Sequence, residues 1–180
     1  MKYQKKKKMI KTNYLYSNFV LLFATIKTKK DGAEMDFHDY KIVKLTDIAN
    51  IERAVKGKIY PEGSIKIQLS ATKGAVEFQK QCGEIESKYA VVEPKTNINK
   101  RYLFTSIEKS FPEFYHRFIA DINLQIESLN FFEVCIHNSL ETQEYIAKVA
   151  ELNEKEILKE QMIIESYKNI KKNFMNNMFC

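Results

Sequence analysis

The chain has 180 residues, of which 44% are hydrophobic and 12% aromatic, with a formal net charge of +6. This length and composition predict one globular domain with room for an appended segment, and they exclude an intrinsically disordered chain. Before residue 35, nine lysines outnumber two acidic residues. The positive charge is therefore a property of the N-terminal segment and does not by itself indicate nucleic-acid binding.

Residues 1–34 are predicted to be an extension outside the functional domain. Four lysines at 5–8 and the apolar run 14–26 resemble the charged and apolar regions of an export signal. No A-x-A cleavage pattern follows, and the apolar run is shorter than the ~20 residues that a membrane-spanning helix needs. We therefore expect a cytoplasmic protein, with no membrane contact, whose functional domain opens near Met35. Export is the alternative, and the mass of the mature N-terminus distinguishes the two.

Short strands and tight turns are predicted between residues 40 and 94. Residues 40–45 begin as a strand, after which Thr46 or Asp47 is placed to cap a helical turn that carries Ile51. The run SIKIQLSAT then alternates apolar and polar side chains with a period of two, as a half-buried strand does. Two more predicted strands are AVEFQ (75–79) and SKYAVVEP (87–94), the second ended by Pro94.

Helices are predicted at 99–111 and 112–121, because Pro112 suits the first turn of a second helix. Apolar residues at 122, 124 and 126 alternate with Asn123 and Gln125, as in a strand that faces the core. A last short strand is predicted at 131–136. Together these elements predict an α/β fold, of the α+β kind with a small mixed sheet.

One long helix of about 35–40 residues is predicted from Ser139 onward, since no glycine or proline follows. Ser139 is placed as its cap, with acidic residues in the first turn. Apolar side chains at spacings of three and four form a coiled-coil-like stripe along it. The stripe contains Ile146, Val149, Ala150, Ile157, Ile163, Ile164, Tyr167, Ile170, Phe174 and Met178. A small domain covers only part of such a stripe, so the helix is predicted to pair with another helix.

Catalytic and metal-binding patterns are weak. The three cysteines and three histidines are scattered without the spacing of zinc ligands. Glu93-Pro94-Lys95 matches the end of a nuclease metal site, with an upstream glutamate at 77, 84 or 86 as its partner. Pro94 would interrupt the strand pairing that such a site requires. We therefore predict no catalytic residue, no metal and no cofactor for this chain.

Residues 56–74 combine lysines with hydroxyl and amide side chains beside tight turns, with a local charge of about +3. Lysines suit phosphates, whereas glutamine, serine and threonine can contact base edges. Solvation of one strand face is the alternative, and the residues alone favour neither. The candidate DNA-binding residues are Lys56, Lys58, Tyr60, Lys66, Gln68, Ser70, Thr72, Lys73, Lys100 and Arg101, with Lys95 beside them.

Several segments resemble the target recognition domains of type I restriction–modification specificity subunits. They are KLTDIANIERA, GKIYPEGSIKIQLSATKG, ESKYAVVEPK and FPEFYHRFIADINLQIESLNFFEVCIHN, and they occur in the order found in that family. The stretch from SLETQEYIAKVAELNEKEI to KKNFMNNMF is similar to the conserved helix that follows such a domain. The resemblance covers residues 39–179 and implies a DNA target recognition domain at 39–135 and a dimerisation or spacer helix at 136–180.

The resemblance implies a subunit without catalytic activity that recognises a specific sequence in double-stranded DNA. A methyltransferase subunit would bind S-adenosylmethionine, and a restriction subunit would bind ATP and magnesium. The usual subunit has two recognition domains and two antiparallel helices, whereas this chain has one of each. We therefore expect a half-subunit that forms an antiparallel homodimer or pairs with another half-subunit. Asn153 and Glu160 interrupt the apolar stripe and would fix the register of the pair.

The start of the helix departs from the family pattern, because Ile136-His137-Asn138 replaces a proline-rich segment. A looser hinge is expected there. Asn123 and Gln125 either read DNA bases or brace the turn before the last strand. Two other functions remain open: a self-contained nuclease that uses Glu93 and Lys95, and a protein-interaction module in which only the long helix matters.

Overall fold

The computed structural model describes residues 36–70, 74–95, 97–119 and 123–178, together with the backbone of 29–30 and 33–34. The chain divides into two compact units, residues 1–37 and residues 38–180. In the first unit, strand β1 (Lys29–Lys30) pairs antiparallel with β2 (Ala33–Glu34). All other elements of the described residues belong to the second unit.

A four-stranded antiparallel sheet is the centre of the second unit. Its spatial order is β4 (Ala49–Arg53), β9 (Tyr89–Pro94), β6 (Ile65–Gln68) and β7 (Val76–Phe78). Along β6, Ile65 and Ile67 are buried while Lys66 and Gln68 are half-buried, so the predicted alternation is confirmed. The inner strand β9 lies between β4 and β6, and its successive residues 89–92 are all buried, so both of its faces are covered.

Two short ribbons flank this sheet. β3 (Tyr40–Lys44) pairs antiparallel with β10 (Glu133–His137), and β5 (Ile59–Tyr60) pairs with β8 (Gly83–Glu84). Between β3 and β4 lies the four-residue helix α1 (Leu45–Ile48), which starts with Lys44 in the capping position and no side-chain cap. The predicted cap at Thr46 or Asp47 is therefore wrong. Ile51 is not helical either, because pairing with β9 holds it in β4.

The helix α2 (Lys100–Phe118) continues through Pro112, so the prediction of two separate helices is wrong. Asn99 caps it, its side-chain oxygen accepting bonds from the backbone N–H groups of Arg101 and Tyr102, both at 3.0 Å. Rings on both sides of the proline pack on one partner: those of Phe111 and Phe114 lie 6.1 and 4.5 Å from the ring of Phe132. This shared burial keeps the helix continuous.

Residues 123–131 differ from the predicted strand. Asn123 forms only an isolated bridge with Ser70, and the backbone N–H of Leu124 donates to the carbonyl of Leu69 at 2.7 Å. The chain then forms a 3₁₀ helix, Ile126–Phe131, and β10 starts at Glu133 rather than at residue 131. Leu124 and Leu129 are buried. Their apolar side chains therefore indicated burial correctly, although the predicted strand was wrong.

The long helix α3 (Leu140–Met178) has 39 residues and extends ~58 Å at 1.5 Å per residue, as its sequence predicts. The Ser139 hydroxyl accepts a bond from the Thr142 N–H at 3.3 Å, which confirms the predicted cap. Only side chains at 142, 143, 146 and 147 are buried, and every residue from 155 to 178 is exposed. The α+β domain followed by one long helix is confirmed. Among the described residues, no helix is long and apolar enough to cross a membrane.

Candidate nucleic-acid interface

A tight turn presents the first two lysines of the candidate interface. The backbone N–H of Lys58 donates to the carbonyl of Val55 at 3.1 Å, and Gly57 has φ of +84°. Only glycine adopts this left-handed conformation without strain, so Gly57 is the residue that the turn requires. Lys56 and Lys58 are both exposed as a result. Val55 and Ile59, exposed by 56% and 67%, project beside them.

Two of the lysines are neutralised by nearby carboxylates. Lys58 forms an ion pair with Glu52, whose hydrogen bond raises the pKa of the lysine. Lys66 on β6 lies 2.9 Å from Glu77 on β7, and this contact, with a smaller contribution from the Tyr89 hydroxyl, lowers the pKa of Glu77. The positive charge predicted for this stretch is therefore reduced, because Glu52 and Glu77 fold against it.

Tyr60 is not at the surface. Its side chain is fully buried in a cluster with Ala54, Ile85, Tyr89 and Val91. Its hydroxyl accepts a bond from the backbone N–H of Val55 at 3.0 Å. The prediction that Tyr60 contacts DNA is therefore wrong, and its role is to hold the Val55–Lys58 turn.

Arg101 differs from its neighbour Lys100. Its guanidinium pairs with Glu154 on α3 and packs against the rings of Phe78 and Phe104, 5.1 and 5.0 Å from their centroids. The side chain is only 17% exposed. Arg101 therefore joins α2 to α3 and does not present a free charge, contrary to the predicted DNA contact. Lys100 stays exposed beside the Pro61–Gly63 turn.

The polar residues after β6 lie along one edge of the domain. The Gln68 side-chain amide donates to the carbonyl of Ser70 at 3.1 Å, and exposed Ser70 faces exposed Asn123 through the isolated bridge. Thr72 and Lys73 lie outside the described residues. Asn123 and Gln125 are both exposed, and Gln125 makes no side-chain bond to the 3₁₀ helix that it precedes.

Of the candidate lysines that the structure describes, three have no ion pair with a carboxylate: Lys56, Lys95 and Lys100. Lys95 donates to the carbonyl of Thr46 at 2.8 Å, and the Lys100 ammonium lies 3.5 Å from the carbonyl of Glu62. Contacts to neutral carbonyls leave the positive charge available to phosphate oxygens. These three lysines, Gln68 and Ser70 remain the candidate interface, although Gln68 pairs with Tyr89 at the start of β9 and Lys95 follows the other end of that strand.

The nuclease alternative finds little geometric support. Glu93 lies on β9 opposite Asn50, and Lys95 is engaged by the Thr46 carbonyl. Within residues 36–70, 74–95, 97–119 and 123–178, no group of three histidine, cysteine or acidic side chains is placed to share a metal ion.

A second group of polar contacts, at the start of α3, was missed by sequence reasoning. The Tyr102 hydroxyl lies 2.7 Å from Nδ1 of His137 and accepts the His137 backbone N–H at 2.8 Å. The Gln143 side chain donates to the carbonyl of His137 at 2.8 Å and accepts from the backbone N–H of Asn99 at 3.4 Å. Burial raises the pKa of Tyr102. No sequence signal indicated these contacts, because Tyr102 and Asn99 lie 35 and 44 positions from their partners His137 and Gln143.

Three solved structures show the same architecture. The S subunit of a type I restriction-modification system from M. genitalium matches with a TM-score of 0.57 at 10% identity, over 68% of this chain and 41% of that one. The HsdS subunit from Thermoanaerobacter tengcongensis gives 0.54 at 12% identity, over 88% and 48%. A chain from a structure of type I R-M complex assembly and conformational transition gives 0.54 at 11% identity, over 86% and 48%. The chain has the fold of a type I restriction-modification S subunit.

The S-subunit fold is shared at low sequence identity. No protein-family model and no curated protein sequence matches this chain. The chain spans between 41% and 48% of the length of the three solved chains. Packing in the core can be kept while most surface residues change, so a fold can persist at 10–12% identity.

Proposed function

We propose that this chain is a sequence-specific DNA-recognition subunit of a type I restriction–modification complex. The observation that carries the proposal is the S-subunit fold, which covers 68–88% of the chain and includes both the sheet domain and α3. In this proposal the chain has no catalytic role. A methyltransferase subunit with S-adenosylmethionine and a restriction subunit with ATP and magnesium would carry the chemistry, in the cytoplasm.

The retained interface supports DNA binding through two kinds of side chain. Lys56, Lys95 and Lys100 offer charges that no carboxylate of the described residues neutralises, which suits phosphate contacts. Gln68 and Ser70 offer amide and hydroxyl groups of the type that reads base edges. In this proposal the lysines position the domain on the duplex, and the amide and hydroxyl groups select the sequence.

The exposed part of α3 supports self-association. Ile157, Ile164, Tyr167, Ile170, Phe174 and Met178 are 38–72% exposed, which leaves a continuous apolar stripe open to water. The helix also has an uneven charge: residues 140–160 hold six glutamates and three lysines, whereas residues 161–178 hold one glutamate and three lysines. An antiparallel pair would place the acidic half of each helix against the basic half of the other. A parallel pair would oppose like charges.

Two copies paired in this way would supply the second recognition domain. Identical domains related by a two-fold axis read inverted copies of one short sequence. The expected target is an interrupted palindrome whose half-site centres are separated by about one turn of DNA, ~34 Å, or somewhat more.

Methylome sequencing of the source cells, with and without this gene, tests the proposal. Loss of one bipartite methylated motif on deletion is expected, and an unchanged methylome contradicts the proposal. An asymmetric motif would show that the chain pairs with a different half-subunit. If deletion leaves all methylation intact and the purified chain binds no duplex, the helix-only interaction module becomes the better description.

A further inference from the structure

The start of α3 is held firmly although it lacks proline. Gln143, 3% exposed, bridges the carbonyl of His137 and the backbone N–H of Asn99. Beside it, the Asn138 side chain donates to the carboxylate of Asp39 at 2.7 Å. The looser hinge expected from the sequence is therefore not observed. These bonds attach the first turn of the helix to the cap of α2 and to the segment before β3.

A second attachment lies three turns further along the same helix. Glu154 accepts the guanidinium of Arg101 through one carboxylate oxygen, and its other oxygen lies 3.5 Å from the ammonium of Lys80. Asn99 takes part in the first attachment and Arg101 in the second. Because these residues are two positions apart, both attachments join α3 to the N-terminal end of α2. The eleven residues from Gln143 to Glu154 separate the two attachments by about 16 Å along the helix axis.

The two attachments, at Gln143 and Glu154, together fix the direction of the α3 axis relative to the domain. Beyond Glu154, residues 155–178 are all exposed and continue for about 36 Å. A tilt of about 10° at the base would move the far end by roughly 6 Å, close to two steps of the 3.4 Å repeat of DNA. The second attachment therefore has a large effect on where a partner domain would lie.

The Arg101–Glu154 pair can fix the direction of α3 although it contributes little to the free energy of unfolding. The guanidinium is largely removed from water, and its Nε is buried without a hydrogen-bond partner among the described residues. Desolvation of this kind offsets much of the attraction within a buried ion pair, so the net stabilisation is small. The planar group nevertheless packs against two aromatic rings, which restricts the position of Glu154 and hence the rotation of the helix.

We propose that Arg101 and Glu154 are positioning residues that set the spacing between two DNA half-sites by fixing the angle of α3 to the recognition domain. This inference rests on the proposed function, since the spacing has meaning only for a two-domain DNA complex. Neither residue contacts a base in this proposal.

The test uses Glu154→Gln, which removes the charge of the pair and leaves Arg101 in place. Glu151→Gln is the matched control, because Glu151 forms its ion pair within α3, with Lys155 at 2.7 Å, and Arg101 contributes least to the lowered pKa of Glu151. The first measurement needs no DNA. Spin labels on Cys82 and on Lys172→Cys, with the other cysteines changed to serine and the labelled chain diluted with unlabelled chain, report the distance from domain to helix. We expect a narrow distribution for the parent and Glu151→Gln, and a broadening by roughly 6 Å for Glu154→Gln.

The second measurement is the methylated motif in cells that express each variant with its partner subunits. The half-site sequences should stay the same in all of them. In Glu154→Gln, discrimination between the native spacer and spacers one base pair longer or shorter should fall by about tenfold, as loss of a coupling between contacting residues allows. Glu151→Gln should keep the native spacer. If Glu154→Gln fails to fold, Arg101→Lys, which keeps the charge without the planar group, takes its place.

The outcomes separate this inference from the proposed function. An unchanged distance distribution in Glu154→Gln overturns the attachment, and a broadened distribution with an unchanged spacer overturns its role in spacing. Stronger binding of Glu154→Gln to every duplex, with steeper salt dependence, would show that freed Arg101 contacts phosphate and would also overturn the inference. Absence of any bipartite motif with the parent chain refutes the proposed function and the spacing role together, while the distance measurement still decides the attachment.

Discussion

The lysines of the candidate interface differ in what neutralises them. Lys58 and Lys66 have carboxylate partners, whereas Lys56 and Lys100 are exposed without one among the described residues. A lysine that already holds a carboxylate must give up that contact before it binds a phosphate. We therefore expect the unpaired lysines to contribute more to DNA affinity than the paired ones.

Lys56→Ala and Gln68→Ala should have different effects on DNA binding. Loss of Lys56 should weaken binding to all sequences alike and reduce the slope of log affinity against log salt by about 0.9. Loss of Gln68 should change the preferred bases, at about 1–3 kcal/mol for a lost bidentate contact. Titrations of labelled duplexes at several salt concentrations measure both. Lys109→Ala, an exposed change on α2 outside the interface, is the control, and equal effects of all three changes would contradict the assignment.

The free energy of unfolding should depend on pH through the Glu77 carboxyl. Its pKa is lowered in the folded protein by Lys66, so its stabilising effect is present above its ordinary pKa of 4.5 and is lost as pH falls through the lower folded value. The pair is partly exposed, so the effect should stay below about 1 kcal/mol. Urea unfolding between pH 7 and pH 3 (about the range where a carboxylate titrates) should show a shallower decline for Glu77→Gln. An identical decline in parent and variant would contradict this.

At the scale of elements, α2 shows tertiary packing overriding a local signal. Proline lacks the N–H that would bond to the carbonyl of residue 108, and its ring crowds the preceding turn. The helix nevertheless continues, because Phe111 and Phe114 both pack on Phe132. The side chain of Pro112 is itself exposed and contributes nothing to that packing.

Pro112→Ala should therefore stabilise the protein. The helix regains one hydrogen bond and loses a residue that costs ~3 kcal/mol in a helix interior, while the unfolded chain regains ~1 kcal/mol of conformational freedom. A net gain of about 1–2 kcal/mol should raise the melting temperature by several degrees, measurable by calorimetry. Glu113→Ala, on the exposed side of the same turn, should change it by much less. A lower melting temperature for Pro112→Ala would show that the proline shapes a bend that the core needs.

At the scale of the whole molecule, the described domain buries only the first quarter of α3. The sheet domain and α2 contact the helix up to Glu154, and the remaining surface is available to a partner. The apolar stripe and the uneven charge of this surface both favour a second antiparallel copy. Residues of the opposite face offer a way to test which side forms the pair.

Ile157→Glu with Ile164→Glu should convert dimers to monomers, because the two residues are one heptad apart on the stripe and each charge would be buried in the pair. Leu158→Glu with Met162→Glu is the matched control. These residues are also exposed, by 46% and 71%, but lie roughly 100–160° around the helix from the stripe. Analytical ultracentrifugation should find monomers for the first variant and dimers for the second. The opposite result would place the pairing surface on the other face.

The sequence by itself determined the features that depend on local periodicity. Alternation in β6, the length of α3 and its Ser139 cap follow from side chains two, three or four positions apart, whose geometry is set by the chain itself. The fold class was predictable for the same reason, and the resemblance in several short segments extended it to the S-subunit fold.

Only the tertiary structure decided which polar residues are exposed and unpaired, and therefore available to contact DNA. Tyr60 and Arg101 look like surface residues in the sequence, yet Tyr60 is buried in a cluster with Ile85, Tyr89 and Val91, and Arg101 is held by Glu154, 53 positions away. Whether a charge is exposed, paired or buried depends on residues that are distant along the chain, and no local pattern encodes such partners. The same holds for Gln143, whose contacts fix a hinge that the sequence predicted to be loose.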